Sequence, residues 1–289
     1  MATLQDIKKR ITTVGKTHKI TKTMEMVSTS HMKRWQNVVL SSRPYSEALT
    51  EVLLQLSSSP EARAHPLMKE REEVRKTAVI LLTSNRGLCG AFNNHICKRA
   101  QMLSEKYKED GIEAELYAVG KKGISYFNHL EIPLAYKDNT LTDGFSVEKS
   151  SEFTELVTGA YISGRVDRVE VVYNRFVSSG RQELTVEQLL PLTAPSGPAR
   201  EALETDFIFE PSPAEIVNTL LPLFARSTVY RMFAENITSE HAARRKAMKQ
   251  ATDNAEEMIT FLTRRFNRER QAQITKELSE IVGGAEAIA

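Results

Sequence analysis

Residues 4–56 decide the fold, and they read LQDIKKRITTVGKTHKITKTMEMVSTSHMKRWQNVVLSSRPYSEALTEVLLQL. This stretch contains one glycine, Gly15, and one proline, Pro44, and its apolar residues recur at three- and four-residue steps. That spacing places the apolar side chains along one stripe of a helix. The sequence therefore predicts a single N-terminal helix, which would run roughly 80 Å at about 1.5 Å per residue.

A second long helix is predicted at the other end of the chain. Ser212 fits an N-cap, Pro213 follows it, and Glu215 completes a capping box three residues after the cap. After Pro222, which the first turns tolerate, nothing breaks the pattern before Gly283. Because helices in proteins are stabilised mainly by burying an apolar face, the two ends are expected to pair. The pattern favours a long antiparallel coiled coil of two unequal helices.

The seam of that coiled coil is polar over residues 15–31. Continuing the heptad from Val14 places polar side chains inside, and shifting the frame recovers only Met24 and Val27. The inside set is His18, Thr21, Glu25 and Ser28. A free coiled coil this polar would be marginal, so we infer that something else, such as a sleeve of partner subunits, holds this stretch in place. The alternative is a helix that curves and moves its stripe.

The middle of the chain alternates strands and helices. A continuous apolar run at 77–83 is typical of a strand buried on both faces. The further predicted elements are helices at 89–107, 121–128 and 147–162, strands at 115–119 and 132–136, and a hairpin of 169–178 with 182–190. This alternation indicates a Rossmann-like α/β domain with a largely parallel sheet, right-handed crossovers and an antiparallel edge. The predicted domains are the N-terminal coiled-coil helix at 1–57, the α/β domain at 58–210 and the C-terminal coiled-coil helix at 211–289.

The overall composition is that of an ordinary globular protein. Of its 289 residues, 41% are hydrophobic and 26% charged, and a net charge of +2 argues against a polyanion binder. No apolar run approaches the roughly 20 residues of a membrane span, and the N-terminus lacks a secretory or transit signal. We therefore expect a cytosol-like compartment, in which the glycosylation sequon at Asn236 carries no meaning. Cys89 and Cys97 are then interpreted as small buried hydrophobes.

The turn after the first strand is the most tempting place for chemistry. Residues 84–90 read SNRGLCG, and in Rossmann-like folds this position binds phosphate. The turn has neither Gly-x-Gly-x-x-Gly nor Gly-Lys-Ser/Thr, and no acidic residue ends the second strand to hold a ribose. We interpret Arg86 and its glycines as a tight turn and an interface. The six histidines lack metal-ligand spacing, so we expect no cofactor, no metal, no direct nucleotide binding and no enzymatic activity.

The C-terminal string at 274–287, ITKELSEIVGGAEA, resembles the signature of the gamma subunit of F-type ATP synthases. Three more segments match that family in order and spacing: KITKTMEMV at 19–27, RGLCG at 86–90 and AMKQATDNA at 247–255. The resemblance covers essentially the whole chain and departs at Ala91, where glycine is common, and at Gly283. No regulatory cysteine-bearing insertion is found, which is typical of the bacterial type.

The resemblance implies a fold and a function. It implies that the coiled coil runs up the cavity of a ring of three alpha and three beta subunits. The α/β domain would rest on the membrane c-ring and contact the epsilon subunit, at the cytoplasmic face of the bacterial plasma membrane. The chain would then be the central rotor shaft of the proton-translocating ATP synthase. It would couple c-ring rotation to sequential conformational change in the beta subunits without catalysing a reaction itself.

The family match also implies interface residues. The candidates for contact with the alpha/beta sleeve are Met24, Arg244, Gln271, Thr275 and Glu277. The candidates for contact with the c-ring and epsilon subunit are Tyr45, Arg86, Phe207 and Glu210.

Two other functions remain open from the residues alone. A nucleic-acid-binding coiled-coil protein could use the Lys and Arg clusters of both long helices, and its affinity would fall steeply with salt. The near-neutral charge and the few interleaved aromatics disfavour it. A nucleotide-binding enzyme with helical extensions is the other option, and only the turn at Arg86 supports it.

Overall fold

The computed structural model describes residues 3–56, 60–142, 145–193 and 212–286. Its elements are α1 (Leu4–Leu56), α2 (Pro60–Ala64), β1 (Lys76–Leu82), α3 (Phe92–Glu109), β2 (Glu113–Val119), α4 (Lys121–His129), β3 (Tyr136–Asp138), α5 (Val147–Ile162), β4 (Arg168–Phe176), β5 (Gln182–Leu190) and α6 (Pro213–Glu286). The chain divides into two compact units. We call Met1–Thr29 with Arg244–Ala289 the terminal unit, and Ser30–Ala243 the sheet unit.

The sheet unit is built on one five-stranded sheet in the order β3-β2-β1-β4-β5. The pairs of β1 with β2, β1 with β4 and β2 with β3 are parallel, and β4 pairs antiparallel with β5. The predicted parallel sheet with an antiparallel edge is therefore confirmed.

Alternating side chains of β1 face two separate cores, as expected for a central strand. Ile80 and Leu82 enter one core together with α5 and the parts of α1 and α6 that belong to this unit. Val79 and Leu81 enter the other core, against α3 and α4. All four side chains are fully buried, so the continuous apolar run is explained by helices on both faces of the sheet.

Two predicted elements, the third strand and the helix after β1, differ clearly from the structure in their bounds. The third strand, predicted at 132–136, is Tyr136–Asp138, since Tyr136 is the first residue that pairs with β2. Ile132 and Leu134 pack against the α3 and α4 core instead. Helix α3 begins at Phe92 instead of 89, because Leu88 and Gly90 have φ values of 63° and 62°, which no helix accommodates. The short helix α2 was not predicted.

The long helices α1 and α6 run antiparallel, as predicted. In the sheet unit, the rings of His31 and His241 stack with centroids 5.0 Å apart. Farther along α1, the hydroxyl of Ser46 lies 3.4 Å from that of Ser227, which is nearer the start of α6. Advancing along one helix therefore means going back along the other. Within the described ranges, none of the helices combines enough length and apolar character to span a membrane.

Candidate partner interface

The interior of the terminal unit is polar where the heptad analysis predicts it. Thr21 and Ser28 are buried, and Thr252 of α6 is buried opposite them. The Thr252 hydroxyl lies 2.8 Å from the Thr21 hydroxyl and 2.8 Å from the C=O of Met248. Thr21 Oγ1 also donates to the C=O of His18 at 3.1 Å. Each hydroxyl has a backbone acceptor on its own helix, so these seam positions are hydrogen-bonded, and the apolar burial of the unit comes from other positions, Ile7, Met248, Ala255 and Leu262.

Large apolar side chains of the same unit lie on the outside. Their exposed fractions are 50% or more, whereas the seam threonines are under 10% exposed. This outer apolar set consists of Ile20, Met26 and Val27 on α1 and Met258 and Phe261 on α6. Exposed clusters of large apolar groups commonly mark surfaces that bind other proteins.

The last part of α6 has no cover from the described chain. Every described side chain from 267 to 282 is exposed. Four apolar residues recur there at helical spacing and form one stripe, which we call the terminal stripe. It consists of Ile274, Leu278, Ile281 and Val282. An isolated helix is marginal in water, so this segment too has the character of a binding surface.

The start of α1 is fixed by its own cap. The backbone N–H of Thr3 donates to Asp6 Oδ2 at 3.1 Å, and the Asp6 N–H donates back to Thr3 Oγ1 at 3.3 Å. These reciprocal bonds form a capping box. The hydrogen bond from the Thr3 side chain lowers the pKa of the Asp6 carboxyl, so the cap carries a negative charge at the positive end of the helix dipole.

The five sleeve candidates fall into two classes of environment. Met24 is half-buried and Arg244 only 6% exposed, so its own chain already covers most of Arg244. Gln271, Thr275 and Glu277 are exposed on α6. Thr275 Oγ1 donates to the C=O of Gln271 at 2.9 Å, which places these two residues on successive turns of one face.

Two of the c-ring and epsilon candidates lie on the surface of the sheet unit. Tyr45 is 50% exposed on α1, and Arg86 is exposed in the turn between β1 and α3. Phe207 and Glu210 lie outside the described residues. The turn itself is tightly bonded, since Ser84 Oγ donates to the C=O of Arg86 at 2.6 Å.

In Rossmann-like folds the phosphate lies at the N-terminus of the helix after the first strand, which here is α3. The first three amides of α4, the helix after β2, face the same turn after β1. All three are hydrogen-bonded within the protein. Lys121 N–H donates to Asn85 Oδ1 at 2.9 Å, Lys122 N–H to the C=O of Ser84 at 3.1 Å, and Gly123 N–H to Thr83 Oγ1 at 2.9 Å. An anion at α4 would have to displace these partners.

Neither cysteine forms a disulfide, and both are buried, as predicted. Burial raises the pKa of the Cys97 thiol to about 12, so it stays protonated at neutral pH. A protonated thiol is neither a nucleophile nor a metal ligand. Cys97 is therefore a packing residue of the α3 core.

The outer apolar set was not identified by the sequence analysis, although a signal existed. The heptad from Val14 excludes Ile20, Met26 and Val27 from the seam, which is equivalent to placing them outside. The seam positions alone therefore do not describe this part of α1, because its other side carries exposed apolar side chains.

Comparison with known proteins identifies relatives over the whole length. A family model described as ATP synthase matches residues 3–288. The ATP synthase gamma chain of Leptospira biflexa is 38% identical over 288 residues, covering 100% of both chains. That of Chlorobaculum tepidum is 40% identical over 293 residues, covering 100% of this chain and 99% of the relative.

Solved structures share the fold. A chain of the Euglena gracilis mitochondrial ATP synthase, from its OSCP/F1/c-ring structure, superposes with a TM-score of 0.68 at 19% identity, over 99% of this chain and 94% of that one. A chain of the Tetrahymena thermophila mitochondrial ATP synthase central stalk and c-ring gives a TM-score of 0.63 at 22% identity, over 80% of this chain and 99% of that one.

Proposed function

We propose a mechanical function for this chain, which belongs to the ATP synthase gamma-chain family. It is the rotor shaft of an F-type ATP synthase and couples rotation of the membrane c-ring to sequential conformational change in the catalytic beta subunits. One observation supports this role above the others. In the terminal unit, the two long helices bury Ile7, Met248 and Leu262 together with hydroxyl side chains, whereas all nine large apolar residues of the outer apolar set and the terminal stripe are about half exposed or more. Such a surface fits a shaft enclosed by other chains.

Covering that surface would stabilise the assembly substantially. Full burial of one Leu, Ile, Met or Phe side chain contributes about 1.5–3 kcal/mol. The outer apolar set and the terminal stripe together hold nine half-exposed side chains. Because each is already partly covered, on the order of 10 kcal/mol is available before the entropic cost of association is subtracted.

Contact alone would not couple rotation to catalysis. A shaft that touched every beta subunit equally could not shift any conformational equilibrium, so the contacts must differ from one face to the next. The terminal stripe provides such a difference. It occupies one face of α6, while Lys276 and Glu280 form an ion pair, with N and O 3.7 Å apart, elsewhere on the same turns. A rotating shaft of this kind presents apolar and charged faces to the beta subunits in turn.

The partners follow from this role. The alpha and beta subunits would surround the terminal helices, and the c-ring and epsilon subunit would contact the α/β domain. We assign the sleeve contacts to Met24, Arg244, Gln271, Thr275 and Glu277. We assign the contacts of the α/β domain to Tyr45, Arg86, Phe207 and Glu210. Arg244 is mostly covered by its own chain, so its contact with the sleeve is expected to be limited to the guanidinium edge.

The chain forms a peripheral part of a membrane complex, and we place it at the cytoplasmic face of a bacterial inner membrane. We further propose that it has no catalytic activity of its own. The turn after β1 supports this, because residues 84–90 carry neither Gly-x-Gly-x-x-Gly nor Gly-Lys-Ser/Thr.

The test is reconstitution with alpha and beta subunits, comparing two charge insertions in one helix. Leu278→Glu places a carboxylate on the terminal stripe, and Ala272→Glu places the same charge one turn before Lys276, on the opposite, exposed face of α6. Burying a carboxylate is costly, so we expect the first change to weaken binding to the alpha/beta ring by roughly tenfold or more. The second should bind as the unchanged chain does.

The proposal requires that the unchanged chain form a complex with alpha and beta subunits and rotate during ATP hydrolysis. Failure of that complex would overturn it. If the two variants bound the alpha/beta ring with equal affinity, the terminal stripe would not be part of the interface. Tight binding of DNA by the isolated chain, lost at high salt, would favour the nucleic-acid alternative, and tight binding of ATP would favour the nucleotide-enzyme alternative.

A further inference from the structure

The sheet has one position where a ligand crevice is expected. The chain passes from β1 to β2 and β3 on one side, and then to β4 and β5 on the other side. The strand order therefore reverses between β1 and β4. In open α/β sheets, the crevice at the carboxyl ends of such a strand pair is the usual place for a bound molecule.

The hydrogen-bond ladder between β1 and β4 stops just short of that crevice. Its last pair is Leu81 with Val172. Thr83 N–H bonds to Val119 of β2, so its neighbour Leu82 must face β4, since successive residues of a strand bond to opposite sides. In a regular parallel ladder, the C=O of Leu82 would accept the next bond from the N–H of Asn174.

The side chain of Asn236 is inserted between those two groups. Asn236 Nδ2 donates to the C=O of Leu82 at 3.2 Å, and Asn236 Oδ1 accepts from the N–H of Asn174 at 3.0 Å. The side chain is 2% exposed. Its amide offers one donor and one acceptor in the same plane, as a peptide group does. A residue of α6 thereby continues the ladder and fills the crevice.

We propose that Asn236 is the positioning residue that locks α6 to the sheet, so that torque on the sheet unit passes into the helix. This inference rests on the proposed function. Apolar contacts are not directional and allow a helix to turn or slide, whereas two hydrogen bonds from one short side chain specify its rotation and its height. Arg231 adds a second attachment, since its guanidinium bonds to the carboxylate of Glu187 on β5 and lies 3.3 Å from Tyr173 Oη on β4.

The test uses Asn236→Ala, with Asn218→Ala as the matched control on the exposed side of α6. In the isolated full-length chain, we expect the amide of Asn174 to exchange with solvent roughly tenfold faster or more in Asn236→Ala, because its acceptor is lost. In the reconstituted membrane complex, we expect ATP hydrolysis to persist while protons pumped per ATP fall roughly twofold or more under a proton gradient. The control should match the unchanged protein in both measurements.

If Asn236→Ala does not fold, Asn236→Asp is used in its place. Its carboxylate still accepts a hydrogen bond from the N–H of Asn174 but repels the C=O of Leu82. Protection of Asn174 with a reduced pumping ratio supports the proposal. An unchanged pumping ratio in a folded Asn236 variant overturns it, since a merely structural residue would alter stability and not coupling. Failure of the unchanged chain to assemble would instead reject the proposed function, so the two failures are distinguishable.

Discussion

Replacing both seam threonines with valine should strengthen the terminal unit of the isolated chain. Valine has nearly the shape of threonine, and Thr21 and Thr252 are both buried with their hydroxyls 2.8 Å apart. Removing both partners of a hydrogen bond is close to neutral, while each added buried methyl contributes about 0.8 kcal/mol. We expect Thr21→Val with Thr252→Val to stabilise the unit by about 1 kcal/mol. Each single change should do less, because it leaves one hydroxyl beside an apolar group.

The measurement is amide exchange over residues 15–31 in the full-length chain without partners. We expect about fivefold slower exchange in the double variant, the factor that about 1 kcal/mol implies. The control is Thr17→Val with Thr260→Val. Both of these hydroxyls bond to the backbone one turn earlier, as the seam pair does, but both side chains are exposed. Equal effects of the two double variants, or a less stable seam variant, would refute the view that a polar interior makes this unit dependent on partners.

Three further predictions concern the sheet unit. Arg231→Met should lower the free energy of unfolding by about 2–4 kcal/mol in denaturant titration, because it leaves the largely covered carboxylate of Glu187 without its charged partner. The control Arg226→Met breaks an exposed ion pair and should lower the free energy of unfolding by less than about 1 kcal/mol. Gly120→Ala should prevent folding, as judged by circular dichroism, because the residue has a φ of 98° and its new Cβ would lie 2.2 Å from the backbone oxygen of Thr83. The control Gly111→Ala has a φ of 76° but no atom within 4 Å of the new Cβ, so it should fold with a modest loss of stability. Burial raises the pKa of the Cys97 thiol from 9.0 to about 12, so the thiol loses its proton at lower pH in the unfolded state than in the folded state. The free energy of unfolding, measured by denaturant titration, should therefore fall as the pH rises from 9 to 12. Cys97→Ala should make this pH dependence weaker.

The parts of the fold that depend on local pattern were predictable from the sequence. The bounds of α5 and β5 agree with the predicted ranges because capping and strand alternation act within a few residues. The third strand was not predictable in this way. Ile132 and Leu134 have the composition of a strand, yet pairing with β2 begins only at Tyr136. The choice between core packing and pairing depends on residues of other elements.

The contacts of Asn236 could not have been predicted from the sequence at all. Its partners lie 154 and 62 positions away in the sequence and are backbone groups, which carry no side-chain signature. In the sequence it is visible only as part of a glycosylation sequon. For the interface candidates the sequence is more informative than the structure. The family resemblance predicts that Met24 and Glu277 contact other subunits, whereas the structure of a single chain gives only the exposure of their side chains.

The two long helices follow different packing rules in the two units. In the sheet unit, α1 buries Leu53 and α6 buries Phe233 in a shared apolar core, so their amphipathic faces point inward. In the terminal unit, the same helices bury Thr21 and Thr252 together with a few apolar side chains such as Leu262, and they expose Phe261. Helix propensity cannot account for this change, since it does not distinguish inner from outer faces. The smaller apolar interior of the terminal unit is expected if the sheet unit is stabilised by its own core and the terminal unit by neighbouring subunits.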